Sequence, residues 1–319
     1  MNRRTFVRSS AALATTLPAL PFAVSAAAAA AVPAERKFTL ALTPGSMGVS
    51  VKSQRELNDL AFRHGFESVE PRGEEFAAMT PAQLEEILAD RVEKKLAWAA
   101  TGLAVEFRKD EAVFREGLSA LPAIAAALQK AGATRIGTWL SPSHNELTYR
   151  KNFEQHATRL REVSKILGDH GLRLGLEYVG TQLLLVGQRY PFLHTLAETR
   201  ELIAEIGSDH VGLVLDSWHW WTAGDTADDI LSLQNKDVVS VDLNDAPAGL
   251  AKKDQLDNAR ELPSATGVIE VAPFVNALKQ IGYDGPVRPE PFNKTLNALE
   301  NEAACAATIT AMRRAVETS

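Results

Sequence analysis

The chain has a single cysteine, Cys305, among its 319 residues, and this scarcity excludes two common structural devices. One thiol cannot form an intrachain disulfide, and it cannot build a zinc site from several cysteines. Cys305 lies in the alanine-rich pattern of residues 301–315, which predicts a buried position on a helix. Any metal site must therefore be sought among oxygen and nitrogen side chains.

Positive charge is also sparse, because 34 lysines and arginines face 40 aspartates and glutamates, for a net charge of −6. Residues 1–30 contain three arginines and no acid, so without them the net charge becomes −9. An acidic chain with no basic run does not suit a nucleic-acid backbone, so we expect no nucleic-acid partner. Long apolar runs are lacking after residue 31, and we expect no stable membrane insertion once the N-terminal segment is removed.

Residues 1–31 are predicted to be a twin-arginine signal segment that is cleaved from the fold. Arg3-Arg4 precede a modest, alanine-rich apolar stretch, and small-residue sites such as Ala23-Val-Ser-Ala26 suit cleavage. The alternative is a membrane anchor, but the stretch is weakly hydrophobic and is interrupted by Pro18 and Pro21. We expect a periplasmic or otherwise exported protein.

The rest of the chain alternates short apolar runs with amphipathic stretches, which predicts one domain over residues 37–317. Eight runs followed by helices are typical of an α/β fold of the (β/α)8 TIM-barrel type. An open, doubly wound sheet is the alternative, but no Gly-x-Gly-x-x-Gly turn follows the first run. The predicted strands are Phe38–Leu42, Ser68–Glu70, Ala97–Gly102, Arg135–Trp139, Arg173–Glu177, Gly212–Asp216, Val238–Leu243 and Pro286–Glu290. The predicted helices are Gln54–His64, Pro81–Lys95, Ala112–Ala131, Lys151–His170, Leu193–Ile206, Ala227–Leu233, Ala272–Ile281 and Leu296–Val316.

Four carboxylates close predicted strands: Glu177, Asp216, Asp242 and Glu290. In a barrel of parallel strands the carboxyl ends meet on one face, so these four side chains are expected to converge there. Converging acids repel one another strongly unless a cation lies among them. The pattern therefore predicts a divalent metal held by these four residues, with Glu177 and Glu290 as the catalytic acid and base.

Each of these assignments has a structural alternative. Glu177 or Glu290 could instead pair with an arginine such as Arg288. Asp242 should face the barrel interior, where an unpaired carboxylate is costly, so a buried ion pair or a hydrogen-bonded turn is the alternative to metal proximity. Asn244 would point the same way as Asp242 if the strand continued with its period of two.

Candidate substrate-binding residues follow the same strand ends. His219 lies one turn after Asp216 and could bind a metal or a substrate hydroxyl. Trp218 belongs to a tryptophan-rich loop in which a ring could stack on a sugar, although packing is the usual role of such a cluster. His144 and Glu70 follow other strands and are weaker candidates for contact with the substrate.

This pattern resembles the xylose isomerase-like TIM-barrel superfamily, the sugar phosphate isomerase/epimerase group, over roughly residues 37–315. In ketose 3-epimerases of this group, two glutamates, an aspartate and a histidine hold a divalent metal, and the glutamates also move the proton. The resemblance implies such roles for Glu177, Asp216 and Glu290, and substrate contact for His219. The matching segments are Gly65-Phe-Glu-Ser-Val-Glu70, Glu177, Asp216-Ser-Trp-His219, Asp242-Leu-Asn-Asp245, Gly267-Val-Ile-Glu270, Gly282-Tyr-Asp-Gly-Pro286 and Glu290-Pro-Phe292.

The chain departs from the group at Asp242, where the group usually has histidine. A site lined only by oxygen suits manganese or magnesium better than zinc, so we expect one of these two metals. The expected function is metal-dependent isomerisation or epimerisation of a free sugar or keto-sugar derivative through an enediolate. The alternatives are a lyase or hydrolase-like enzyme on oxidised glycosides, and an exported carbohydrate-binding protein with a degenerate site. An apurinic-site endonuclease would need several histidine ligands and a basic groove, which the sequence lacks.

Overall fold

The computed structural model describes residues 35–319, so the predicted twin-arginine segment lies outside the described residues. The described part forms a single compact unit with a TIM-barrel-like α/β fold, as the alternating pattern predicts. Its strands are β1 (Thr39–Leu42), β2 (Ser68–Val69), β3 (Ala97–Trp98), β4 (Thr101–Gly102), β5 (Arg135–Trp139), β6 (Ser143–His144), β7 (Arg173–Glu177), β8 (Tyr190–Pro191), β9 (Val211–Asp216), β10 (Val238–Asp242) and β11 (Pro286–Arg288).

Nine of these strands form one parallel sheet in the order β3-β2-β1-β11-β10-β9-β7-β5-β4. The two terminal strands are consecutive in the chain and are separated only by Ala99 and Ala100, so the sheet order ends where it began. The predicted single strand Ala97–Gly102 is therefore two strands. The division arises because this segment changes partner, with the Ala99 N–H bonded to Val69 on one side and β4 paired with β5 on the other.

Helices cover the outside of the sheet, and most lie where the periodicity predicts them. They are α1 (Gln54–His64), α2 (Gly73–Ala78), α3 (Pro81–Glu93), α4 (Glu111–Ala131), α5 (Tyr149–Asp169), α6 (Gln182–Leu185), α7 (Leu196–Ile206), α8 (Ser217–Ala223), α9 (Ala227–Leu231), α10 (Val271–Gln280), α11 (Lys294–Asn297) and α12 (Asn301–Glu317). Within residues 35–319, no helix combines the length and the apolar character needed to cross a membrane.

Capping explains where two of the helices differ from the prediction. The helix predicted to begin at Leu193 begins at Leu196, because the Thr195 hydroxyl accepts the Glu198 N–H and the Glu198 side chain reciprocates. The last predicted helix is divided into α11 and α12. The Asn293 side chain caps the short α11, and a new helix begins after Glu300.

The core is the apolar interior between the sheet and its helices, and the polar residues concentrate at the carboxyl ends of the strands. β7, β9 and β10 are buried along nearly their whole length, including the acidic residues that end them. Parallel pairing places Asp242 of β10 beside Asp216 of β9 and beside Arg288 of β11. The sheet therefore delivers charged side chains of neighbouring strands to one location.

Candidate metal and catalytic centre

The four predicted carboxylates come together at the end of the barrel. Glu177, Asp216, Asp242 and Glu290 each offer an oxygen that lies within 4.8 Å of the others. Asp216 and Asp242 are fully buried, Glu177 is nearly so, and Glu290 is partly exposed. Burying four acids together is unfavourable unless cations or hydrogen-bond donors compensate them, so the groups around them decide what the cluster can bind.

Arg260 enters this cluster from the long loop between β10 and α10. Its Nη1 donates to Asp216 Oδ2 at 2.7 Å and to Glu290 Oε2 at 3.1 Å. Its Nη2 donates to Asp257 Oδ1 at 2.8 Å and lies 3.0 Å from His219 Nε2. The guanidinium is buried, so it supplies a fixed positive charge to the acidic end of the barrel.

A second guanidinium comes from β11 itself. Arg288 Nε and Nη2 donate to the two Asp242 oxygens at 2.6 and 2.7 Å, which is the bidentate arrangement of a strong ion pair. The same Nη2 donates to Glu290 Oε1 at 3.0 Å. The structural alternatives, a buried ion pair for Asp242 and pairing of Glu290 with Arg288, are therefore both present. They occur within the same cluster that offers metal-ligating oxygens.

Asn244 connects the aspartate of β9 with the glutamate after β11. Its side-chain amide donates to Asp216 Oδ1 at 3.0 Å, and its carbonyl oxygen accepts the Glu290 N–H at 2.7 Å. The Trp218 N–H also donates to Asp216 Oδ1, at 2.7 Å. The fully buried Asn244 therefore fixes two of the acids, and it lies on the face that the strand period predicts.

Glu177 differs from its neighbours because its buried Oε1 has no hydrogen-bond partner among residues 35–319. Burial and the charges of Glu290, Asp242 and Asp216 raise the pKa of Glu177 well above the usual value. Burial also raises the pKa of Asp242 to about 7, although Arg288 opposes that shift.

The residues present fit a divalent cation. The four carboxylates outnumber the two guanidiniums of Arg260 and Arg288, and Asp257 adds a further acid beside Arg260, so a divalent ion would offset the excess of acidic groups. The partnerless Glu177 Oε1 supplies an oxygen that still needs a cation or a proton. Glu177, Asp216 and His219 form a second grouping with ligand atoms equally close, but His219 Nε2 already contacts Arg260.

His219 is buried in this centre, and burial beside Arg260 lowers the pKa of its imidazole to about 3. The ring is therefore neutral at physiological pH, and its Nε2 lies 3.4 Å from Asp257 Oδ1 and 3.7 Å from Glu177 Oε1. A neutral imidazole in this position can exchange hydrogen bonds with a substrate hydroxyl without adding charge.

A cavity of about 530 Å³ opens onto the acidic cluster, large enough for a sugar-sized molecule. Glu177 and Glu290 line both this cavity and an adjoining space of about 230 Å³. Trp139, at the end of β5, also lines both and keeps 47% of its surface exposed. Other residues lining the larger cavity are Ser141, Val179, His219, Asp257, Arg260 and Phe292.

Comparison with known proteins assigns the fold to a family. The family model described as xylose isomerase-like TIM barrel matches residues 59–315. The chain belongs to this family. A solved xylose isomerase domain protein from Alicyclobacillus acidocaldarius is similar at 31% identity and a TM-score of 0.77, covering 88% of this chain and 98% of its own.

Two further relatives are similar over most of the chain. An inosose isomerase from Bacillus velezensis is 24% identical over 247 residues, which are 73% of this chain and 81% of that protein. The solved IOLI protein with a bound zinc atom has 20% identity and a TM-score of 0.70, covering 88% of this chain and 99% of its own. The likeness to the solved IOLI protein supports the barrel fold of this chain.

Three of the residues that are predicted to bind substrate do not line the cavity of about 530 Å³. Trp218 is buried, and its ring lies 4.9 Å from the Arg260 guanidinium carbon, so it supports that arginine. His144 Nδ1 accepts the backbone N–H groups of residues 146 and 147. Glu70 lines a separate hollow of about 690 Å³ together with Lys52 and Arg72.

Sequence reasoning assigned no role to several residues that line the cavity, namely Trp139, Asp257, Arg260 and Phe292. Arg260 lies in an irregular loop, and the only local signal is Asp257 three residues before it. Trp139 ends the predicted strand Arg135–Trp139, and nothing in that run predicts a role in the cavity. Its ring packs against the Arg108 guanidinium, 4.1 Å from the ring centre, which leaves the rest of its surface to line the cavity.

Proposed function

We propose that this protein is a divalent-metal-dependent isomerase or epimerase of a free sugar or keto-sugar derivative. The observation that carries the proposal is the placement of Glu177 and Glu290 in one acidic cluster that also lines a sugar-sized cavity. A carbohydrate ring suits the walls, because Trp139 and Phe292 offer aromatic surface while Arg260 and His219 offer hydrogen-bonding groups.

Glu177, Asp216, Asp242 and Glu290 would hold the metal, and manganese or magnesium suits their oxygen atoms best. When bound, the ion would supply Lewis-acid polarisation of a substrate carbonyl. The relative with zinc supports a divalent ion in this fold, whereas the preference for manganese or magnesium rests on the carboxylate set of this chain.

Four side chains would carry out the proton transfer and orient the substrate. Glu177 would remove a proton from the carbon beside the substrate carbonyl, because it lines the cavity and its Oε1 has no hydrogen-bond partner among residues 35–319. The Arg260 guanidinium would stabilise the negative charge of the enediolate, and neutral His219 would orient a hydroxyl. For epimerisation, Glu290 in its protonated form would donate its own proton to the same carbon from the opposite face, after which Glu177 would release its proton to water and Glu290 would regain one. For isomerisation, Glu177 would deliver the proton it has taken to the neighbouring carbon, with Glu290 assisting.

Solvent deuterium exchange tests this function. Metal-stripped protein reloaded with Mn²⁺ should incorporate deuterium from D₂O beside the carbonyl of a ketose or keto-glycoside, without bond cleavage, as measured by NMR. Exchange that continues undiminished in chelator would contradict metal dependence. Exchange with release of an aglycone would favour the lyase alternative, and binding without exchange would favour the carbohydrate-binding alternative.

Localisation is a separate proposal, that residues 1–31 direct export through the twin-arginine route. Replacing Arg3-Arg4 with Lys-Lys should hold the precursor in the cytoplasm, because the arginine pair is read as an address. Immunoblots of cell fractions measure the outcome, with Arg8→Lys as the matched control outside the pair. Unchanged export of the Lys-Lys variant would refute this route.

A further inference from the structure

We infer that Arg288 is a positioning residue that sets the charge of the acidic centre, so that Asp242 and Arg288 act as one neutral unit. The inference rests on the proposed metal site and adds to it. Its consequence is that Arg288 limits the affinity for a divalent cation, while allowing a fourth carboxylate to be buried among the other three.

The first observation is the geometry of the pair. Asp242 and Arg288 are direct neighbours across the parallel strands β10 and β11, and both Asp242 oxygens accept hydrogen bonds from Arg288. Asp242 is fully buried, so its charge is not screened by water and needs a fixed partner. A guanidinium is that partner, because its planar fork matches a carboxylate and it stays charged at any physiological pH.

The second observation is that Arg288 also contacts Glu290, two residues along the same segment. Arg288 therefore contacts two of the four proposed metal ligands, Asp242 and Glu290. Arg260 contacts Asp216 and also Glu290. Without Arg288 the cluster would be one charge more negative, and without the Asp242 charge it would be one charge less negative. Removing both charges leaves the balance of the cluster unchanged.

This charge balance makes opposite predictions for the two single variants. Arg288→Met should tighten Mn²⁺ binding by about tenfold or more, because an extra negative charge then lies beside the ion. Asp242→Asn should weaken binding by a similar factor, since Arg288 is left without its main partner, although asparagine keeps an oxygen. The double variant should have an affinity for Mn²⁺ within about threefold of wild type. Arg288→Lys keeps the positive charge, so its affinity for Mn²⁺ should also lie within about threefold of wild type.

Calorimetric titration of Mn²⁺ alone into each metal-stripped protein measures these affinities, and thermal unfolding without metal gives a second readout. Each single variant should unfold at a lower temperature than wild type, and the double variant should recover most of that loss. Arg150→Met, which removes an exposed arginine on α5, is the matched control and should bind Mn²⁺ like wild type.

If Arg288 only supports the fold, Arg288→Met will bind Mn²⁺ no more tightly than wild type, and the double variant will bind as weakly as Asp242→Asn. That result would overturn the inference. If Arg288→Met fails to fold, the Mn²⁺ affinities of Asp242→Asn and of the double variant still test the inference. Removing Arg288 must tighten Mn²⁺ binding in the Asp242→Asn protein as well. Wild type that binds no divalent metal at all would instead refute the proposed metal site, and this inference with it.

Discussion

Replacing Glu177 or Glu290 with glutamine is expected to lower turnover by about 10²- to 10⁴-fold, the usual cost of removing a positioned acid or base. Glutamine keeps the shape of glutamate but cannot take up a proton at neutral pH. Initial rates at saturating substrate and metal measure the loss, and Glu154→Gln on the exposed face of α5 is the matched control. Near-native turnover in either site variant would remove that residue from the chemistry.

The stability of these two variants should differ, which separates a chemical role from a structural one. In metal-free protein Glu177→Gln should be at least as stable as wild type, because it removes a buried carboxylate whose Oε1 has no partner. Glu290→Gln should be less stable, since Glu290 accepts hydrogen bonds from both Arg260 and Arg288. Denaturant unfolding compares them, and a destabilised Glu177→Gln would contradict the view that its carboxylate is uncompensated.

Most strands of the parallel sheet could be predicted almost residue by residue because they are short runs bounded by turns, whereas the two-residue strands β6 and β8 were not predicted. The segments Arg135–Trp139 and Arg173–Glu177 have the predicted bounds. A residue that ends such a run in a parallel barrel must lie at the carboxyl-end face, which is why the sequence alone places Asp216 and Asp242 together. At Ala99 and Ala100 the segment changes its partner strand, and the hydrophobic periodicity of the sequence does not predict such a change.

The charge balance of the site could not be predicted in the same way. Arg288 was visible as a rival partner for the glutamates, but its bidentate pairing with Asp242 depends on the register of β10 against β11. A sequence pattern shows that two strands pair without showing which residues become neighbours. The sequence alone therefore presented metal binding and ion pairing as alternatives for Asp242, whereas the structure places its ion pair inside the candidate metal cluster.

Arg260 is the residue that sequence reasoning was least able to place. It lies in the loop that follows β10, where no helical or strand period constrains the side chain. Its position results from contacts far apart in the chain, with Asp216, Glu290 and the rings of Trp218 and Phe292 around it. Only the folded structure shows that the buried guanidinium of Arg260 compensates Asp216 at the end of β9 and Glu290 after β11.

The Arg260→Met variant should therefore show a large loss of stability and of turnover. Breaking a buried ion pair by removing one partner costs about 3–5 kcal/mol, and here Asp216 and Glu290 both lose their contact with the cation. Loss of one group that stabilises a developing negative charge typically costs about 10²- to 10³-fold in rate. Denaturant unfolding and steady-state kinetics measure the two effects, and Arg150→Met, with 88% of its side chain exposed, should change stability by less than about 0.5 kcal/mol.

Added Mn²⁺ should restore part of the stability lost in Arg260→Met, because a divalent cation supplies charge to the same acids. It should not restore the rate, since the ion cannot replace the guanidinium that is proposed to stabilise the enediolate. Arg260→Lys tests the geometry separately from the charge, because an ammonium group keeps the charge but cannot contact Asp216, Glu290 and Asp257 through a rigid planar fork. We expect this variant to recover more stability than turnover. Full recovery of both would show that position 260 requires only a positive charge.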